Sequence, residues 1–120
     1  MSEAKTYSGS CHCGRVRFKV TTDLARVISC NCSMCSRAGT LLTFVPAEQF
    51  ELLSGDDALG DYQFNKHVIH HLFCRHCGIK SFAKGTPPTT NKEMRAINVR
   101  CLEGVDLDAL TVQKVDGKSF

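Results

Sequence analysis

The sequence predicts a mainly β protein, and the spacing of its apolar residues is the main reason. Residues 14–20, "GRVRFKV", alternate apolar with basic side chains, which is the period-two pattern of a strand with one buried face. The other apolar stretches are short and rich in β-branched or aromatic residues: ARVIS, TLLTFVP, DYQFN, HVIHHLF, IKSFAKG and RAINVRCL. Only "SMCSRAG", which predicts one helical turn, and "VDLDAL" near the end interrupt this β character.

Length and composition are those of one globular domain. The chain has 120 residues, of which 42% are hydrophobic and 22% charged, so we expect a single domain over residues 1–120. The one clear loop is "KGTPPTTNKE", whose Pro, Thr and Gly content is typical of a surface excursion.

Eight cysteines are more than a domain of this size needs for packing. The first residues, "MSEAKTYSGS", lack the apolar core of a signal peptide, and no uncharged apolar run approaches membrane-spanning length. We therefore expect a reducing, cytoplasmic location and no membrane partner. In such a compartment, clustered C-x-C and C-x2-C spacings favour metal binding over disulfides.

The formal charge of +3 does not by itself predict a nucleic-acid partner. Metal ligands must be deprotonated, so seven thiolates and two Zn²⁺ ions would bring the total charge to about zero. Lys and Arg residues are also not clustered among aromatic residues. We expect no nucleic-acid partner.

Two cysteine pairs are each followed at once by glycine, in "CHCG" at residues 11–14 and "CRHCG" at residues 74–78. Glycine tolerates positive φ, so the chain can turn tightly behind the second sulfur and aim backbone N–H groups at the thiolates. This shared feature predicts one closed four-sulfur site, which suits a structural zinc. Its ligands would be Cys11, Cys13, Cys74 and Cys77.

Pairing by proximity along the chain is the competing arrangement. In that case Cys11 and Cys13 would share a metal with Cys30 and Cys32, and spacing alone does not exclude it.

The histidines are weaker candidates than the cysteines. His12 and His76 lie inside the two knuckles, where exposed positions are the preferred interpretation. His67, His70 and His71 fall on a predicted strand, whose alternation points His70 to the opposite face from the other two. We assign no ligand among them.

A third group, Cys30, Cys32 and Cys35, lies within "ISCNCSMCSRAGT" and has no following glycine. A tetrahedral zinc needs a fourth ligand, which is either another side chain, with Cys101 the remaining sulfur, or an exchangeable group. The first case makes the site structural and the second leaves an open position of the kind that catalytic zinc sites keep.

Four motifs in this order, "GSCHCGRVRF", "CNCSMCSRAG", "FCRHCG" and "NVRCLEGVD", resemble the glutathione-dependent formaldehyde-activating enzyme family, which includes the centromere protein V-like proteins. The match spans residues 7 to about 106, and seven cysteines in register are a specific signal. The resemblance implies a β-tent fold, in which small antiparallel sheets are organised around a structural zinc site.

The resemblance also implies roles for the cysteines. The structural zinc ligands of the family match Cys11, Cys13, Cys74 and Cys77. The second, catalytic zinc site matches Cys30, Cys32 and Cys35, with an exchangeable fourth ligand. The position of Cys101 is not a family ligand, so we expect a small buried strand residue there.

The implied reaction is the condensation of glutathione with formaldehyde to S-hydroxymethylglutathione, which is classed as a carbon–sulfur lyase reaction. The partner would be a small-molecule thiol such as glutathione, and the cofactor would be two Zn²⁺ per chain. Coordination by Zn²⁺ lowers the pKa of a thiol, so the nucleophilic thiolate prevails at neutral pH.

Two functions of other classes stay open from the sequence. A noncatalytic zinc scaffold that binds a protein partner predicts a closed second site. A redox sensor predicts that a metal-free C-x-C-x2-C cluster oxidises to a disulfide.

Overall fold

The chain is mainly β, as predicted, and a computed structural model describes residues 4–63, 69–87 and 90–116. The strands are β1 (Lys5–Ser10), β2 (Arg17–Thr22), β3 (Val27–Cys30), β4 (Leu42–Pro46), β5 (Phe50–Ser54), β6 (Leu59–Tyr62), β7 (Ile69–Cys74), β8 (Phe82–Gly85), β9 (Met94–Asn98) and β10 (Val112–Val115). The α-helix in the described part is the short α1 (Ser33–Ala38), at the predicted helical turn. Short 3₁₀ turns occupy Ala47–Gln49, Asp56–Ala58, Val99–Cys101 and Leu107–Ala109.

These strands form two sheets. The smaller is antiparallel with the order β1-β2-β5, and the larger has the order β10-β3-β4-β9-β8-β7-β6. In the larger sheet β10 runs parallel to β3, whereas the other neighbouring pairs are antiparallel. No described helix has the length and apolar character that crossing a membrane requires.

The alternation in residues 14–20 determines which face of the smaller sheet packs against the larger sheet. Val16, Phe18 and Val20 are buried, whereas the basic residues between them, Arg17 and Lys19, are exposed. Phe18 stacks on Phe50 of β5 with ring centroids 5.5 Å apart, and it meets Phe82 of β8 at 6.1 Å. Phe50 and Phe82 are themselves 4.6 Å apart. This aromatic trio joins the two sheets.

One predicted strand ends earlier than expected. The stretch RAINVRCL was expected to stay extended through Cys101, but β9 stops at Asn98. The Asn98 side chain accepts a hydrogen bond from the Arg100 N–H at 3.2 Å and begins the 3₁₀ turn Val99–Cys101. The expectation that Cys101 is a buried strand residue is therefore wrong, because it lies half-buried in this turn.

Other differences concern strands with weak patterns. Strands β1, β5 and β10 were not predicted; each is largely polar or exposed, and β10 is held by parallel pairing to β3. Part of the stretches DYQFN and HVIHHLF and part of the loop KGTPPTTNKE lie outside the described residues.

Replacing Phe18 with Ala should destabilise the protein by about 3–5 kcal/mol, since a fully buried ring between the sheets would leave a cavity. The matched control is Phe44→Ala on β4, whose side chain is 45% exposed and should contribute much less. Urea denaturation of both variants at fixed zinc concentration measures the difference. Equal losses would show that the trio does not hold the sheets together.

Candidate metal centres

The first candidate centre lies where the two sheets meet. Its knuckle at residues 11–14 follows β1 of the smaller sheet, and its second knuckle begins at Cys74, the last residue of β7 in the larger sheet. The sulfurs of four cysteines lie within 4.8 Å of one another, namely those of Cys11, Cys13, Cys74 and Cys77. The Cys13 Sγ is 3.6 Å from both the Cys11 and the Cys74 Sγ.

These distances fit zinc. Four sulfurs at the usual Zn–S distance of about 2.3 Å in a tetrahedron are roughly 3.8 Å apart. The observed 3.6 Å spacings are close to that value, so the four sulfurs surround a space of the right size for the ion.

The knuckle glycines have the conformation that the sequence predicts. Gly14 has φ 82° and Gly78 has φ 80°, both in the left-handed region. The Gly78 N–H donates to the Cys74 carbonyl at 2.8 Å, and the Gly14 N–H donates to the Cys11 carbonyl at 3.3 Å. Each glycine thus closes a tight turn that folds the second cysteine back towards the first.

Backbone N–H groups also point at the sulfurs. The Val16 N–H donates to the Cys11 Sγ at 3.4 Å, and the His76 N–H donates to the Cys74 Sγ at 3.4 Å. Such bonds stabilise thiolates, the form that binds metal.

The pKa values within this centre diverge. Burial raises the pKa of Cys11. At Cys77 burial acts in the same direction, but the N–H groups of Cys13 and Ile79 outweigh it and lower the pKa to about 6. The Arg15 N–H lowers the pKa of Cys13. Hydrogen bonding thus favours the thiolate, the form that binds metal, at Cys77.

The second candidate centre is local in sequence. Cys30 ends β3, Cys32 is the N-cap of α1, and Cys35 lies buried within that helix. Their sulfurs lie within 4.8 Å of one another, and we call this group the triad. The Cys32 N–H donates to the Cys30 Sγ at 3.5 Å, and the Cys35 N–H donates to the Cys32 Sγ at 3.3 Å.

The pKa values of Cys32 and Cys35 in the triad shift in opposite directions. Cys35 is buried in a small cluster with Ile28 and Leu42, and this burial, with the neighbouring Cys32, raises the pKa of Cys35 to about 12. Burial also acts to raise the pKa of Cys32, but hydrogen bonds beginning with the Cys35 N–H outweigh it and lower the pKa. The Cys35 thiol therefore needs a nearby cation to lose its proton at neutral pH, which is what a bound metal supplies.

The fold groups the sulfurs as the glycine pattern suggests. Cys11 and Cys13 meet the cysteines that follow β7 rather than Cys30 and Cys32, so the arrangement by sequence proximity is not the one adopted. All eight cysteines are free thiols.

Within the described residues, no fourth Cys, His, Asp or Glu joins the triad. Cys101, the side chain that could have closed it, is grouped with neither cluster, and burial raises its pKa. Among the described residues the triad therefore brings together three sulfurs and no further ligand atom.

Two of the three strand histidines are described, and His67 lies outside the described residues. His70 is part-exposed and its Nδ1 is 2.7 Å from the Asp61 carboxylate on β6. His71 is buried, and this burial lowers its pKa to about 4, so its ring is neutral at pH 7. Neither His70 nor His71 belongs to either group of clustered sulfurs.

A groove beside the triad was not predicted from the sequence. It has a volume of about 240 Å³ and is lined by Ser29, Cys30, Asn31, Lys114, Val115 and Asp116. It lies at the carboxyl ends of β3 and β10, which run parallel to each other. A strand as short and exposed as β10 gave no signal in the apolar pattern.

A model of the glutathione-dependent formaldehyde-activating enzyme family matches residues 6–113. The chain belongs to this family. It is also similar to a protein of Rhodobacter sphaeroides whose crystal structure was determined as a structural genomics target. The two chains are 31% identical, the match covers 90% of this chain and 99% of the other, and the TM-score is 0.79. Family membership supports a function related to glutathione and formaldehyde, and the two cysteine clusters are compatible with zinc.

Replacing Cys101 with Ala should leave the metal content unchanged, because this sulfur is grouped with neither cluster. We expect two zinc ions per chain in both the native protein and the variant, measured by inductively coupled plasma mass spectrometry after gel filtration. A fall to one zinc in the variant would contradict the open triad and make Cys101 its fourth ligand.

Proposed function

We propose that this protein is a zinc-dependent carbon–sulfur lyase that acts on a thiol adduct. Its leading reaction is the formation of S-hydroxymethylglutathione from glutathione and formaldehyde, or its reverse. The triad, Cys30, Cys32 and Cys35, would hold the catalytic zinc. A second zinc, held by the four-sulfur centre, is structural, and the eight free thiols suit a reducing location such as the cytoplasm.

The observation that supports this proposal best is the contrast between the two clusters. One has four sulfurs and so completes a tetrahedral shell, whereas the other has three. A three-ligand zinc site with an open position is typical of catalysis rather than of structure. The groove beside Cys30 gives the remainder of a small thiol somewhere to lie.

The chemistry requires a thiolate. The sulfur of the thiolate attacks the carbon of formaldehyde, the C–S bond forms, and the electron pair of the C=O double bond moves to oxygen, which takes a proton from water. Zinc bound at the triad supplies the positive charge that lowers the pKa of a coordinated thiol.

The chain contributes a site that favours thiol exchange over water activation. Three thiolates would give a Zn²⁺ ion bound there a net charge of about −1 and would make it a weak Lewis acid. The N–H bonds to the Cys30 and Cys32 sulfurs hold these two ligands, and the packing around Cys35 keeps water from the third. A soft thiolate is the better match for the fourth position.

Replacing Cys32 with Ser should abolish the acceleration of S-hydroxymethylglutathione formation while the fold is kept, since the triad lies away from the joint between the sheets. The rate is measurable by exchange NMR with ¹³C-formaldehyde and glutathione, relative to the uncatalysed reaction. Replacing Cys74 with Ser should instead abolish cooperative unfolding, because that sulfur belongs to the centre at the sheet joint.

The pair of variants separates the two roles. If Cys32→Ser unfolded as completely as Cys74→Ser, the triad would be structural and the proposal would fail. If the native protein with two zinc ions gave no acceleration, this reaction would be excluded.

A further inference from the structure

The groove at the carboxyl ends of β3 and β10 adjoins the triad, because Cys30 belongs to both. Its volume is about 240 Å³. A water molecule occupies about 30 Å³ of the liquid, so the groove has room for about eight groups of that size. This space suits one amino-acid-sized group rather than a whole tripeptide.

Asn31, which lies between Cys30 and Cys32, fastens this part of the triad to the end of β10. The Asn31 N–H donates to the Val115 carbonyl at 3.1 Å, and the Asn31 side-chain amide donates to the Asp116 carboxylate at 2.8 Å. In the parallel register Val115 is also the partner of Cys30. The end of β10 is therefore held beside the triad by strand pairing and by the bonds of Asn31.

Two side chains of opposite charge line the groove, namely Lys114 and Asp116. Lys114 forms no ion pair with a carboxylate of the described residues. The Asp116 carboxylate accepts the Asn31 amide through one oxygen, and a carboxylate has about four acceptor sites, so it can accept further N–H groups. The groove thus presents an ammonium group and a carboxylate to whatever it binds.

A ligand with a single charge would meet a like charge in this groove. A simple carboxylate would be attracted by Lys114 and repelled by Asp116, and a simple ammonium group would experience the reverse. The head of a free α-amino acid carries both charges on one carbon atom, so it can form charge-assisted hydrogen bonds with both side chains at once. Its size also agrees with the volume of the groove.

We propose that the groove binds the zwitterionic α-amino-acid head of the thiol substrate, with Lys114 on its carboxylate and Asp116 on its ammonium group. This inference rests on the proposed function, because it places the sulfur of the same molecule at the triad. The substrates are then thiols whose sulfur and free amino-acid head are separated by a linker, as they are in glutathione. Lys114 and Asp116 determine this specificity.

The test measures the binding of related thiols to the zinc-loaded protein by isothermal titration calorimetry. Glutathione has the complete head, glutaryl-cysteinylglycine lacks its ammonium group, and N-acetyl-cysteinylglycine lacks the head altogether. The native protein should bind glutathione about fivefold more tightly than either analogue, which is the effect expected of ion pairs that stay partly exposed. Equal affinity for all of these thiols would overturn the inference.

Variants assign each charge to its partner. Replacing Lys114 with Met should weaken glutathione binding about fivefold and leave the binding of N-acetyl-cysteinylglycine unchanged. Asp116→Asn, which still offers an oxygen to Asn31, should weaken the binding of glutathione but not of glutaryl-cysteinylglycine. The matched control is Lys19→Met on β2, an exposed lysine of the other sheet, and it should bind every thiol as the native protein does.

Two results from the variants would overturn the inference. One is unchanged glutathione binding in both Lys114→Met and Asp116→Asn. The other is an equal loss for glutathione and N-acetyl-cysteinylglycine, which would show an effect on the triad rather than on the head. Zinc content and thermal unfolding of both variants should match those of the native protein, because both side chains are exposed.

S-methylglutathione, whose sulfur has no proton to lose, separates this inference from the proposed function. If the thiol enters the triad, glutathione should bind more tightly than S-methylglutathione, and Lys114→Met should weaken both. If the two bound equally well and N-acetyl-cysteinylglycine did not bind, the proposed function would fail, while a loss in Lys114→Met would still support the head site. If Lys114→Met bound both as the native protein does, only the inference would fail.

Discussion

The rest of the structure depends on the convergence of four sulfurs at the joint between the sheets. Cys11, which is 3% exposed, directly follows β1 of the smaller sheet. Cys74, which is 1% exposed, ends β7 of the larger sheet. A metal held by both knuckles closes a long loop, and its binding free energy is then folding free energy. The aromatic trio around Phe18 supplies apolar packing next to this cross-link.

The two metal centres differ because their backbones differ. In the first, glycines with positive φ fold each knuckle on itself, and two such knuckles supply a full set of sulfurs. In the second, Cys32 begins a helix that carries Cys35, so the local chain continues without delivering a fourth sulfur. The same ligand chemistry is therefore grouped as four sulfurs at one centre and, among the described residues, as three at the other.

The sequence was informative where one physical rule dominated. Alternation of buried and basic residues predicted β2, and the glycines behind Cys13 and Cys77 predicted the long-range grouping of sulfurs. It was uninformative where tertiary contacts decide. The exposed strand β10 exists through its parallel pairing with β3, and Cys101 leaves the extended conformation because Asn98 caps a turn.

The most direct test of the two-centre account is a crystal structure of the zinc-loaded protein with anomalous differences measured at the zinc absorption edge. The account predicts two peaks, one surrounded by Cys11, Cys13, Cys74 and Cys77. The other should be held by Cys30, Cys32 and Cys35 with a fourth ligand that is not a protein side chain. A single peak at the four-sulfur centre, or a second peak closed by a fourth side chain of the protein, would contradict it.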